Sequence, residues 1–178
     1  MSALPMIDPA SATGAAVDLL AAVQRGLGVT PNMTKAMANS PALLKGYLEF
    51  SGALGGGVLH PATRERIALA IAQGNECSYC LSAHTYLGEH VAHLSSDDIK
   101  AARRSDSADA KTSALLKFAS AVNVSRGSIT GQDLAAVRAA GGTDEEIAET
   151  IGHVALNVLT NYFNKAADVD IDFPVVAV

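Results

Sequence analysis

The sequence predicts an all-α fold: a single compact domain spanning residues 1–178, with about seven or eight helices, built to pack into oligomers. Three observations carry that expectation. Apolar residues recur at three- and four-residue steps through most of the chain. Pro, Gly and Ser/Thr-x-x-acid signals cut this pattern into helix-sized pieces. Alanine is abundant while aromatics are only 4% and Trp is absent, a composition suited to helices packed closely through small side chains. No strand-rich region, linker or low-complexity segment interrupts them.

Residues 1–12 read as a flexible or extended arm. Ala15–Gly26 carries Val17, Leu20 and then Leu27 at helical spacing, and Gly26 and Gly28 end it. "VTPNM" (29–33) reads as a turn. Pro41 suits the first turn of a long helix in 39–57, which the Gly55–Gly57 run stops. Pro61 opens a helix whose "ERIALAIAQ" is apolar nearly all round, so it belongs at the centre. Gly74-Asn75 breaks it, and the next helix runs from about Cys77 to His93. Ser95/Asp98, Thr130/Asp133 and Thr143/Glu146 have capping-box spacing. Between them, 112–127 sets Leu115, Leu116, Ala119 and Val122 on one face. The last helix, about 144–166, is expected to bury Ile147, Ile151, Val154, Val158 and Tyr162. Its polar stripe, His153, Asn157 and Asn161 with Asn164 beside it, is expected to face solvent, an interface or a pocket mouth. Residues 167–178 read as an extended tail ending in apolar residues available to a neighbour.

Composition excludes several functions. Hydrophobic residues make up 49%, charged residues 17%, and net charge is −5 with a pI near 5.4. A nucleic-acid binder needs a basic patch, and there is no basic tract. The longest apolar run, Ile67–Ala72, is far too short to cross a bilayer. The first residues lack the basic and apolar segments of a secretory signal, so a cytoplasmic location is expected.

The chemistry concentrates in "CSYCLSAH" (77–84), which holds both cysteines. In a reducing compartment a C-x-x-C pair reads as catalytic or metal-binding. At a helix start, unpaired N–H groups and the helix dipole favour thiolate, the nucleophilic form. Two cysteines one turn apart can also close a disulfide that captures the first oxidation product. His84 stands four residues after Cys80, on the same helical face, within reach of its sulfur directly or through a water. It can act as general base and acid there. Cys80 is read as the attacking thiol and Cys77 as the resolving one, with the opposite order open. Glu65, on the preceding helix, can orient the imidazole if the two helices cross suitably.

Glu65, Cys77, Ser78, Tyr79, Cys80 and His84, at this spacing, resemble the signature of the AhpD-like alkylhydroperoxidase branch of the carboxymuconolactone decarboxylase family. "TRERIALAIA" and "NYFNKAADVDIDFP" add to the resemblance, which runs from about residue 40 onward. It implies an all-helical subunit in rings, commonly trimers or hexamers. It implies reduction of a small-molecule peroxide at Cys77 and Cys80, with His84 and Glu65 as proton relay and no cofactor. It also implies a thioredoxin-like or lipoyl-protein reductant that reopens the disulfide. The decarboxylase branch generally lacks the cysteine pair.

Two other readings compete. The first is a carboxymuconolactone-type decarboxylase, indifferent to both cysteines. The second is a zinc-stabilised, non-enzymatic oligomeric module, with Cys77, Cys80 and His84 as ligands and His60, Glu65, His90 or His93 as the fourth. For Glu65 taken alone, pairing with Arg64 or Arg66 is the simpler role, and Tyr79 is expected to pack, its hydroxyl available to a peroxide oxygen. His90 and His93 are placed on the outer face of their helix.

Overall fold

The computed structural model describes residues 2–178. Among these residues there are nine α-helices and no strand: α1 (Ala15–Leu27), α2 (Asn32–Met37), α3 (Pro41–Gly55), α4 (Pro61–Gly74), α5 (Ser78–His90), α6 (Ser96–Arg103), α7 (Ala110–Ser125), α8 (Gly131–Ala139) and α9 (Asp144–Ala166). The helix beyond the expected seven or eight is α2, inside the stretch read partly as a turn. Pro31 holds an extended N-cap conformation, and Met33, Thr34, Ala36 and Met37 are then buried by one short turn-and-a-half. A six-residue helix is too brief to leave a periodic signal.

The centre is α4. Every residue from Ile67 to Ala72 is buried, and the helix lies against α5, α6, α7 and α9. Its apolar character all round thus has a structural counterpart on every side. Burial of Leu69 or Ile71 contributes about 1.5–3 kcal/mol each, and both are fully enclosed. The three capping boxes are present at the starts of α6, α8 and α9.

Three expectations about the helices need correction. In α1 the buried stripe is Ala16, Leu20 and Val23, while Val17 and Leu27 are exposed. In α9 only Ile147 and Val154 of the expected set are buried; Val158 is half-buried, and Ile151 and Tyr162 stand 43% and 60% exposed. The face of α9 turned inward is instead the polar stripe, with His153, Asn157, Asn161 and Asn164 all buried. The helix that packs beside a reactive centre presents amides to it, not hydrocarbon. Helix α5 ends at His90, short of the expected His93, because Leu94 N–H bonds back to the Gly88 carbonyl and His93 takes φ 55°.

The hinge between α4 and α5 positions the cysteines. Asn75 N–H bonds to the Ile71 carbonyl, Cys77 N–H to the Ala72 carbonyl, and Glu76 adopts φ 52°. These 5→1 and 6→1 bonds end α4 and reverse the chain within three residues. Helix α5 then folds back along α4, so Glu65 and His84, at nearly equal distances from the turn, come level.

Both terminal segments lie on this chain itself. Ala3 N–H bonds to the Ala167 carbonyl and Ile7 N–H to the Lys35 carbonyl. The tail, read as available to a neighbour, runs over α5: Val176 N–H donates to Ser82 Oγ, and Phe173 packs edge-on against Tyr79.

Candidate active site

Cys77 is the N-cap of α5, in extended conformation, and its Sγ accepts from Cys80 N–H at 3.3 Å. The sulfur therefore does what a Ser or Asp oxygen does at other helix starts. Cys80 lies one turn in, with its Sγ 2.7 Å from that of Cys77. Both residues are buried, at 1% and 3% exposure. Asn164, from α9, donates Nδ2–H to Cys80 Sγ at 3.2 Å.

The pair is electrically asymmetric. Hydrogen bonding from Cys80 pulls the Cys77 thiol down, burial opposes this, and the amide of Cys80 with the charges of His84 and Lys165 adds to the lowering. The Cys80 thiol is pushed far up, first because it is the donor to Cys77 and then by burial and the Cys77 charge, with Asn164 and Asn161 opposing. Within the pair, negative charge is therefore favoured on Cys77 and the proton on Cys80.

His84 Nδ1 sits 2.8 Å from Glu65 Oε2, and both side chains are about a quarter exposed, at 24% and 23%. Burial alone lowers the His84 pKa, but the charge and hydrogen bond of Glu65 outweigh it, Cys77 adds to them, and the net shift is upward. Glu65 pairs with neither neighbouring arginine: Arg66 bonds Asp98 and Arg64 reaches the Leu54 and Gly55 carbonyls. His84 forms no direct hydrogen bond to either sulfur. It meets Cys80 across a cavity of about 90 Å³ whose walls include Tyr47, Tyr79, Leu87 and Phe173.

Cys77 faces another way. It borders a surface hollow of about 430 Å³ with Glu76, Lys165 and Asp168. Tyr79 and Asn164 line both spaces and form the wall between them. The Tyr79 hydroxyl, expected to be available to a peroxide oxygen, instead donates to Asp172 Oδ1 at 2.8 Å and accepts from Met33 N–H at 3.1 Å. It ties α2 and the tail across α5.

The four residues singled out in the sequence thus meet as two contacting pairs, Cys77–Cys80 and Glu65–His84. The zinc set does not assemble: among the described residues no group of three or more His, Cys, Asp or Glu side chains is arranged to hold a metal ion. His60 caps α4 through Nδ1 to Ala62 N–H, His90 stacks on exposed Tyr86, and His93 is exposed. Sequence reasoning missed Asn164 as a sulfur ligand and Tyr47 as a cavity wall. The stripe on α9 was the available signal for the asparagine; Tyr47 left none.

Among the described residues nine helices, α4 at their centre, with a dithiol at an α-hairpin and a carboxylate–imidazole pair beside it, make an AhpD-type fold. Residues 41–124 are similar to the carboxymuconolactone decarboxylase family. Among solved structures, a peroxidase-related protein from Silicibacter sp. TM1040 superposes with TM-score 0.81 at 24% identity, over 94% of this chain and 88% of that one. A peroxidase-related protein with an alkylhydroperoxidase AhpD core, from Ralstonia eutropha JMP134, gives 0.84 at 23% identity, over 96% and 92%. The debrominase Bmp8, in a cysteine-to-alanine variant with 2,3,4-tribromopyrrole, gives 0.74 at 19% identity, over 87% and 84%. No curated protein matches the chain. No helix among the described residues is long and apolar enough to cross a membrane.

Proposed function

We propose that this protein is a thiol-dependent peroxidase for small organic hydroperoxides, working through a Cys77/Cys80 dithiol–disulfide cycle. The observation that carries the reading is the asymmetric pair: Cys80 opens on a largely apolar cavity shared with His84, while Cys77, its pKa lowered, borders a separate hollow.

Cys80 Sγ attacks the terminal peroxide oxygen. Its proton passes to the Cys77 thiolate 2.7 Å away, and the His84 imidazolium protonates the departing alkoxide. Products are an alcohol and a Cys80 sulfenic acid. Cys77 then attacks Cys80 Sγ, and hydroxide leaves with the Cys77 proton as water. An external dithiol reduces the disulfide and becomes a disulfide itself; its two protons restore the Cys80 thiol and the His84 imidazolium. Glu65 keeps His84 protonated between turnovers. The reductant, a lipoyl-bearing or thioredoxin-like protein, approaches from the Cys77 side, and the subunits assemble as trimers or hexamers.

A peroxide-consumption assay with dithiothreitol as reductant tests this. Wild type turns over and Cys80→Ser does not. Equal turnover by both proteins contradicts the cycle. The family's decarboxylase chemistry is the second reading, carried by the family match; it requires lactone decarboxylation that survives replacement of both cysteines.

A further inference from the structure

A second cavity, of about 220 Å³, adjoins the thiol cavity on the far side of His84; Tyr47, His84 and Thr160 line both. Its chemistry differs. Arg64 projects there from α4 and pairs with no carboxylate, reaching only the Leu54 and Gly55 carbonyls through Nη1. Across from it is His153, only 6% exposed, with Nε2 enclosed and bonded to nothing. An unsatisfied buried nitrogen costs free energy, and a guanidinium without a carboxylate partner suits a planar two-oxygen anion.

We propose that this cavity is a carboxylate subsite, with Arg64 holding the anion and His153 Nε2 sharing a proton that arrives with it. A substrate anchored there directs its other end past Tyr47 and His84 towards Cys80, so the preferred peroxides carry a carboxylate. That last step rests on the peroxidase reading; the subsite does not.

The charges around His153 set the sign. Burial and then Arg64 hold its pKa below the ordinary histidine value, with Glu149 on its own helix, Glu65 and the Leu54 backbone opposing. Glu149 is turned to the Val58 and Leu59 amides. Glu65 is paired with His84, and Tyr47 from α3 is pushed up by burial and then by Cys80 and Glu65, so it stays neutral. An anion placed beside Arg64 offsets the one charge that lowers His153, and the ring takes up a proton.

Calorimetric titration of the full-length protein with benzoate, in two buffers of different ionisation enthalpy near neutral pH, tests the subsite. Benzoate binds with uptake of about one proton, Arg64→Gln weakens binding about tenfold or more, Arg64→Lys weakens it less, and His153→Gln abolishes the uptake. No binding by wild type, or binding indifferent to Arg64→Gln, overturns it. A second arm compares cumene hydroperoxide with its para-carboxylate in wild type. A higher kcat/KM for the carboxylate supports the substrate class, and equal values overturn it. Turnover of neither peroxide overturns the peroxidase reading, and the benzoate result then judges the subsite alone.

Discussion

At the level of single residues, the proposed cycle gives the charge and the encounter with the oxidant to different sulfurs. Negative charge is favoured on Cys77, which caps α5 and accepts from its partner, while Cys80 faces the cavity. The pH dependence comes from the neighbours. Cys77 is shifted down and His84 up, so the pH range in which both are charged is wider than for the free side chains. In the proposed cycle the acid limb of kcat/KM is expected from protonation of Cys77 and the alkaline limb from loss of the His84 proton. Because Glu65 raises His84, Glu65→Gln moves the alkaline limb to lower pH, towards the ordinary histidine value near 6.5. A pH–rate profile of the two proteins checks this. The same sign applies to stability: the His84–Glu65 contribution is complete below the unfolded histidine pKa and is lost as pH rises through the folded one.

At the level of helices, most are legible in the sequence because each carries its own start signal. Pro41 and Pro61 occupy first turns, and Ser95, Thr130 and Thr143 cap α6, α8 and α9. Ser95→Ala removes the bond to Asp98 N–H and is expected to cost about 1 kcal/mol in chemical denaturation. Asp98 itself is held at about 2, first by Ser95 and then by Arg66. Its stabilisation is present above the unfolded Asp value and fades as pH falls towards 2, so the Ser95→Ala difference narrows in acid. Residue faces were less legible than helices. Ile151 and Tyr162 look like core and are exposed, whereas Asn157, Asn161 and Asn164 look like surface and are buried. Hydropathy alone assigns the apolar stripe inward; here hydrogen bonding reverses it, through the chain Asn123→Asn75→Asn161 and through Asn164 to Cys80. The loop before α4 depends on close approach in the same way. A Cβ at Gly57 would overlap the Glu149 carboxylate that binds the Val58 and Leu59 amides. Gly57→Ala displaces that cap, and a lower thermal midpoint is the expected result.

As a whole molecule, the chain closes its site with its own ends. Tyr79 bonds Asp172, Phe173 walls the Cys80 cavity, and Ser2 and Ala3 fasten the amino-terminal segment to Asp170 and Ala167. Tyr79→Phe frees the tail, and faster alkylation of Cys80 by a bulky maleimide is the expected consequence. Ile151 and Tyr162 share an exposed face of α9, with exposed Phe50 on the adjoining α3. Apolar surface of this kind suits the proposed ring assembly. Sedimentation velocity should show a species larger than the 18.2 kDa monomer, and Tyr162→Arg should shift it towards monomer. The cycle itself is tested most directly by intact mass after one equivalent of cumene hydroperoxide. Wild type should lose two hydrogens as the disulfide closes, and Cys77→Ser should gain a single oxygen that maps to residue 80. An added oxygen that maps to residue 77 in a Cys80→Ser protein, with none at residue 80 in Cys77→Ser, would contradict the assignment of Cys80 as the sulfur that meets the peroxide.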